Sequence, residues 1–409
     1  MRIGHTLPPA AAMLSMKDLW HGLSGVRAGR QSVEALEADI GQHFGARHVA
    51  LVSSGTAALT IALKALKAGS TKTEVVIPAY TCFSVPAAVI HAGLTPVPCD
   101  INPATFDLDE SSLDRAIGPS TLAVVAHHLF GIVSDVERVR ARCAPLGIAV
   151  VEDAAQGMGL TMNGRALGTL GDVGVFSLGR GKHLTCGSGG VILTKSDALA
   201  EAIRRECHAL PAQSAVETVR NFLSVLLMTV FIRPYLYWIP ASLPFLGLGR
   251  SVYPKHVPLK RLSGVSAALL RGWRDRLRAA HDACALTSGD LGKRLGLALP
   301  HGPSHPYLRL PILVGSPAMR DQIYEQSRRQ GLGLSRAYPT AVIDIPELAG
   351  LFAGQRMPAA RIVAQHILTI PTHHWLSEQD RHAIASCIWT AAGRRDQANR
   401  RLPFERWSL

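Results

Sequence analysis

The chain has 409 residues, with 43 Lys+Arg against 30 Asp+Glu and a formal net charge of +13. Hydrophobic residues make up 47%, charged residues 18%, and the mean hydropathy is +0.16. A chain this long and apolar excludes a disordered protein and suits one large domain with a smaller partner. The 37 Gly and 25 Pro exclude collagen and low-complexity linkers. The charge is uneven: residues 1–250 hold 21 basic and 19 acidic side chains, residues 251–409 hold 22 and 11. A basic half raises three partners: nucleic acid, an anionic membrane, or a phosphorylated substrate.

In chain order, the N-terminal twenty residues carry one early Arg and no apolar core of signal-peptide length, so the expected compartment is the cytoplasm. The seven cysteines (Cys82, Cys99, Cys143, Cys186, Cys207, Cys284, Cys387) are odd in number and show no metal-ligand spacing, which argues against disulfides and a zinc site. Apolar spacing predicts helices over 33–44, 56–67, 84–93 and 134–147, and short strands over 48–54, 74–79, 95–101, 121–128 and 148–153. Residues 173–178 and 189–194 read as a close strand pair. Such alternation implies an α/β fold with a mostly parallel sheet covered on both faces.

Residues 222–249 form an apolar run in which Arg233 is the only charge, flanked by Arg220 and Arg250. Arg233, Pro234, Pro240 and Pro244 break it after eleven residues, too soon for a span of about 20. We read a helix followed by an irregular apolar loop. It either packs within the fold or a dimer, or touches a membrane through Tyr235, Tyr237 and Trp238. Beyond it, 263–295 reads as one long amphipathic helix, 307–314 as a strand, and 318–330 as a helix ending at Gly331. A last helix starts near Ser377, with Glu378 and Asp380 in its first turn. The division expected is 1–250, including the apolar insertion 219–250, and a smaller α+β domain over 251–409.

Open α/β sheets bind ligands at the carboxyl ends of their strands, and four motifs sit there. Ser53-Ser54-Gly55-Thr56 runs from a strand into a helix and suits either a phosphate cradle or a plain N-cap. Val151-Glu152-Asp153-Ala154-Ala155-Gln156 places an acid pair after a buried strand, for a cationic ring nitrogen or for a cap. Ser177-Leu178-Gly179-Arg180-Gly181-Lys182-His183 puts a lysine in a glycine-rich connection between apolar strands. There desolvation would lower its pKa and favour imine formation. His127-His128 ends a further strand, as ligand contact or satisfied core group.

Ser54-Gly55-Thr56, the Glu-Asp-Ala-Ala-Gln of 152–156, Gly171-Asp172-Val173, Phe176-Ser177 with Lys182, and Ser188-Gly189-Gly190 occur in the order and spacing of a known family. The sequence resembles the DegT/DnrJ/EryC1/StrS family of pyridoxal 5′-phosphate (PLP) sugar aminotransferases. Residues 337–340 and 367–374 resemble its small domain. The resemblance implies fold type I of PLP-dependent transferases, aspartate aminotransferase-like. It implies that Lys182 holds the cofactor as an imine and shuttles a proton, and that Asp153 pairs with the ring nitrogen. Gln156 would lie beside the ring, and Ser54, Gly55, Thr56 and Ser177 near the phosphate. His128 is a further catalytic candidate. Two positions depart from the family. Where an aromatic often stacks on the ring, Cys82 follows Pro78-Ala79-Tyr80-Thr81, so Tyr80 or Phe83 would compensate. The Asn-Tyr-Arg that reaches the partner subunit's phosphate appears as Leu259-Lys260-Arg261, so Lys260 or Arg261 would supply that contact.

The implied activity is amino transfer from an amino acid, L-glutamate foremost, to a nucleotide- or lipid-linked keto-sugar, by a homodimer. Two rivals stand beside it. One is a PLP dehydratase or other non-transaminating enzyme of the same fold, in which histidine replaces the lysine; here His183 follows Lys182. The other is a non-enzymatic basic binding protein, but the basic runs 274–282 and 394–401 mix charges along helices and read as solvated faces rather than nucleic-acid stripes. A lipid-linked substrate would place the protein peripherally at the inner face of the membrane through 222–249.

Overall fold

The computed structural model describes residues 2–249 and 251–393; Arg250 and the basic run 394–401 lie outside them. The strands are β1 (His48–Val52), β2 (Glu74–Pro78), β3 (Thr95–Cys99), β4 (Thr121–His127), β5 (Ala149–Asp153), β6 (Thr161–Met162), β7 (Arg165–Ala166), β8 (Val173–Ser177), β9 (Gly190–Thr194), β10 (Arg309–Leu313) and β11 (Ile367–Pro371). The helices are α1 (Met16–Ala28), α2 (Arg30–Phe44), α3 (Gly55–Lys67), α4 (Ser84–His91), α5 (Glu110–Ala116), α6 (Val136–Cys143), α7 (Asp197–His208), α8 (Ala215–Phe231) and α9 (Pro234–Ala241). They continue with α10 (Gly264–Ala268), α11 (Trp273–Leu295), α12 (Pro317–Gln330), α13 (Pro358–His366) and α14 (Glu378–Ala391).

Seven strands form one sheet in the order β1-β9-β8-β5-β4-β2-β3. Its centre is parallel, from β3 through β2, β4 and β5 to β8, and only β9 runs against its neighbours. Successive strand residues point to opposite faces. Val75, Ile77, Val125 and Val151 therefore enter one core with α3 and α4, while Val76, Val124 and Val150 enter a second with α2 and α6. Both faces are covered, which explains strands that read as continuous apolar runs. This is the α/β fold expected, and every predicted strand of the first 200 residues is present.

Two predicted elements differ, and helix α1 was not expected. The helix expected over 263–295 is two helices, because Gly272 adopts φ 73° between α10 and α11 and starts α11 without a side-chain cap. The apolar loop after residue 232 is largely helical, since Pro234 occupies the first turn of α9, where its fixed φ fits and its missing N–H costs nothing. Helix α1 was not predicted. A Ser15–Asp18 capping box starts it, and it packs on α10 so closely that a Cβ at Gly25 would lie 2.4 Å from the Gly264 carbonyl oxygen.

A second, two-stranded sheet pairs β10 antiparallel with β11 and is covered by α12, α13 and α14. The N-terminal segment ties onto this unit: Leu7 N–H donates to the Gly331 carbonyl at 2.8 Å, and His5 meets Asp380 at 2.7 Å. Thr6 N–H donates to the Pro234 carbonyl, so the same segment also touches α9.

At the carboxyl end of β5, Glu152 and Asp153 alternate across the sheet. Glu152 is fully buried, yet its carboxylate accepts N–H bonds from Gly168 (2.6 Å), Leu170 (2.7 Å) and Gly171 (3.0 Å) and meets His128 Nε2 at 3.0 Å. Burial alone would raise its pKa; the His128 bond and the backbone donors outweigh burial and hold it below 4.5. A depressed carboxylate contributes stability above its unfolded pKa and loses it as pH falls through the folded value. Glu152→Gln should therefore cost about 3–5 kcal/mol at pH 7 in urea unfolding, with the gap to wild type narrowing below pH 4.5.

Candidate active site

The site lies at the carboxyl ends of β1, β2, β4, β5 and β8. Ser54 caps α3, its hydroxyl accepting from Ala57 N–H at 3.0 Å, so the N–H groups of Gly55 and Thr56 remain outside the helical ladder. Gly55 is required by contact rather than by φ: a Cβ there would lie 2.7 Å from Ser177 Cβ and 2.8 Å from its hydroxyl. The end of β8 and the start of α3 thus touch, and place the Ser177 hydroxyl beside two backbone donors and the positive end of a helix. Such a pair of donors beside a hydroxyl at a helix N-terminus suits a dianion.

Lys182 lies in the connection from β8 to β9, half-buried. Among the described residues its amine makes no hydrogen bond and no ion pair. Burial in the cleft lowers its pKa; Cys82 and Asp153 oppose this electrostatically, and Arg309 adds to it. Asp153 accepts a bond from Ala155 N–H at 3.1 Å through Oδ1, and among the described residues no protein group donates to Oδ2. His183, next in sequence, is buried. Its ring is buried 4.7 Å from that of His281, and desolvation keeps it well below the usual histidine pKa.

An aromatic wall closes the cleft. Tyr80, Phe83 and Phe130 converge on Tyr338, with ring centroids 5.9, 6.1 and 6.3 Å away. Gln156 spans the wall, accepting from Phe130 N–H at 3.2 Å and donating to the Tyr338 hydroxyl at 3.2 Å. Cys82, bonded to Ser84 at 3.2 Å, presents a small side chain where a ring would stand. Arg309, at the start of β10, and Tyr237, from α9, complete the lining: Arg309 is within electrostatic reach of Tyr338, Tyr237 and Lys182.

The structure brings Ser54, Gly55, Thr56, Ser177, Tyr80, Cys82, Phe83, Asp153, Gln156 and Lys182 to this one end of the sheet. His128 is a correction. Its Nε2 meets Glu152 and its Nδ1 accepts from Ser134 N–H at 3.0 Å, so both ring nitrogens are engaged in the core and none faces the cleft. Lys260 differs too: its amine is bound to both Glu217 oxygens at 2.6 Å, while Arg261 is exposed. Sequence reasoning missed Arg309, Tyr237 and the role of Tyr338. The available signal for Arg309 was a lone cation in an otherwise apolar strand.

The sequence profile described as the DegT/DnrJ/EryC1/StrS aminotransferase family matches residues 23–222, which carry the cradle, the acid pair and the lysine. The match covers just under half of the chain. Protein MosB of Rhizobium meliloti is 36% identical over 195 residues, covering 47% of this chain and 38% of that protein. A UDP-N-acetyl-3-dehydro-alpha-D-glucosamine 3-aminotransferase of Acidithiobacillus ferrooxidans is 28% identical over 365 residues, 87% of each chain. The crystal structure of NtdA from Bacillus subtilis, with bound cofactor PMP, has a TM-score of 0.72 at 20% identity, covering 93% of this chain and 83% of that one. The chain spans about half the length, or less, of MosB and most other curated relatives it matches.

DegT/DnrJ/EryC1/StrS aminotransferases use PLP, and the residues present fit it: an unpaired amine, a carboxylate with a free oxygen, and a hydroxyl and N–H cradle that a Cβ on Gly55 would fill. The depressed pKa leaves Lys182 more often neutral than an ordinary lysine. Treating the apoprotein with PLP and then borohydride should label Lys182 before the other eight lysines, with a pH midpoint below 10.5, as read by peptide mass mapping. Lys182→Gln should abolish that label and leave the others.

Proposed function

We propose that the chain transfers an amino group from an amino acid, L-glutamate foremost, to a keto-sugar carried on a nucleotide or a lipid. The product would serve polysaccharide, glycolipid or secondary-metabolite synthesis. The observation that carries this reading is Lys182, an unpaired amine held in a cleft against Asp153. Bound PLP supplies an electron sink for the carbon from which a proton leaves. The protein's residues do the rest. The Ser177 hydroxyl and the N–H groups of Gly55 and Thr56 would hold the phosphate. The second oxygen of Asp153 would hold the ring nitrogen, and Gln156, fixed by Phe130 and Tyr338, would lie beside the ring. Lys182, its proton affinity lowered by burial, would take the proton that leaves the donor's reacting carbon and hold it for return.

The buried orientation of His183 toward His281 weighs against the dehydratase alternative, because it leaves Lys182 as the base in the cleft. In solution, L-glutamate should bleach the visible band of the holoprotein, and a keto-sugar should restore it. No bleaching with any amino donor would overturn the proposal. Asp153→Ala should lower kcat/KM by roughly 10²–10³ while the protein keeps its circular dichroism.

We also propose a homodimer, supported by exposed Arg261 at the position from which the family reaches a second subunit. Its test is sedimentation velocity. Among the described residues no helix is long and apolar enough to cross a membrane. Helix α8 nonetheless exposes Val216, Val219, Leu223, Leu227 and Val230 along one face, and α1, packed beside it, exposes Met16, Trp20 and Leu23. With Lys17, Arg27 and Arg220 on the same helices, this supports peripheral contact with an anionic bilayer at its cytoplasmic face. Wild type should sediment with anionic liposomes but not zwitterionic ones, and the triple variant Val219→Glu, Leu223→Glu, Leu227→Glu should stay in the supernatant with its cofactor. If wild type never sediments, the membrane reading fails.

A further inference from the structure

Arg309 is the cation in the cleft that the proposed chemistry does not use. It opens β10, whose five residues all pair with β11, so its backbone position is fixed. Its guanidinium approaches the Lys182 segment closely: Nη2 lies 3.6 Å from where a Cβ on Gly181 would stand. Among the described residues its side chain has no hydrogen bond and no ion pair. Most arginines in this chain's interior have an acidic partner, as Arg276 has Asp18 at 3.3 Å and Arg381 has Asp290 at 2.6 Å. A half-buried guanidinium without one is costly unless a ligand completes it, because its five donors are removed from water without replacement. The groups facing it are the phenols of Tyr338 and Tyr237, the Lys182 amine and the His373 ring, none of them an anion at neutral pH.

We propose that Arg309, flanked by Tyr338 and Tyr237, binds the carboxylate of the amino donor next to Lys182. The assignment rests on the aminotransferase reading and adds to it the residue that selects the donor. Distance decides between the two anions of that reaction. The donor's α-carboxylate is one bond from the carbon that loses nitrogen, so an anion held beside the Lys182 segment fits it. The phosphate of a sugar carrier is separated from the keto carbon by part of the sugar ring and a linking oxygen, and belongs farther out. Planar guanidinium also matches carboxylate by two parallel N–H bonds. Arg309 lowers the proton affinity of Lys182, so a bound carboxylate would relieve that effect as the lysine is called on to accept a proton. The arrangement gives α9, within the apolar insertion, a place in the site through Tyr237, whose pKa burial pushes up to about 12.

The test is calorimetric titration of holoprotein with L-glutamate, its α-amide and UDP. Wild type should bind L-glutamate well and the α-amide poorly. Arg309→Gln should weaken L-glutamate by roughly thirtyfold or more, Arg309→Lys less so, and both should keep the UDP affinity, the cofactor absorbance and the thermal midpoint. Unchanged glutamate affinity in Arg309→Gln, or loss of UDP in place of glutamate, overturns the assignment, as does a wild type that binds none of the twenty amino acids. A wild type that binds glutamate through Arg309 but moves no nitrogen to any ketone overturns the aminotransferase reading and leaves the carboxylate site standing. A wild type that transaminates while Arg309→Gln keeps its affinity does the reverse.

Discussion

The active end of the molecule depends on a carboxylate that never meets the cleft. Glu152 is removed from water, and a buried charge is tolerated only when its lone pairs are filled. Three backbone N–H groups of residues 168–171 and the His128 ring fill them. This joins the end of β5 to the turn before β8 and to the end of β4, so the three central strands finish at a fixed level. Strand alternation then leaves Asp153 no choice of face. The acid that can serve chemistry is positioned by the acid that cannot.

Much of this was legible in sequence because it is local. Apolar runs bounded by turn residues marked each parallel strand, and the glycine-rich lysine connection stood out against most other lysines, which sit in helical or charged surface contexts. The helix break at Gly272 was hidden, since apolar spacing continues across it and only the backbone dihedral reveals it. His128 could not be assigned because its partner lies 24 residues on, across a strand neighbour. Lys260 looked available for the same reason: Glu217, 43 residues earlier, claims it only once α8 is folded. Arg309 was passed over because an isolated cation in a strand usually points to solvent.

The apolar insertion has two halves with different physical roles. Val225 and Thr229 of α8 are buried, and Asn221 holds the Cys186 carbonyl and the Ser266 hydroxyl at 2.9 and 3.1 Å, anchoring the helix beneath the lysine connection. Its opposite face stays apolar and open. Helix α9 turns back over the cleft and contributes Tyr237. A segment whose composition alone suggested a membrane thus also contributes to the cleft, so its hydrophobicity is not by itself a sign of membrane contact.

The reversed direction of β9 has a consequence for how the lysine is carried. Because β9 runs antiparallel to β8, Ser177 and Gly190 are paired neighbours, and residues 178–189 leave and re-enter the sheet at the same point. The ends of that excursion are held together by strand pairing, so its closure costs little beyond what the sheet already requires. Thr185 and Cys186 fold it back onto the Leu178 carbonyl. The reach of the amine is therefore set within a short closed segment, largely independent of the register of the seven strands. Evolution can adjust where the lysine amine sits, by changes confined to a dozen residues, without renegotiating the stability of the scaffold.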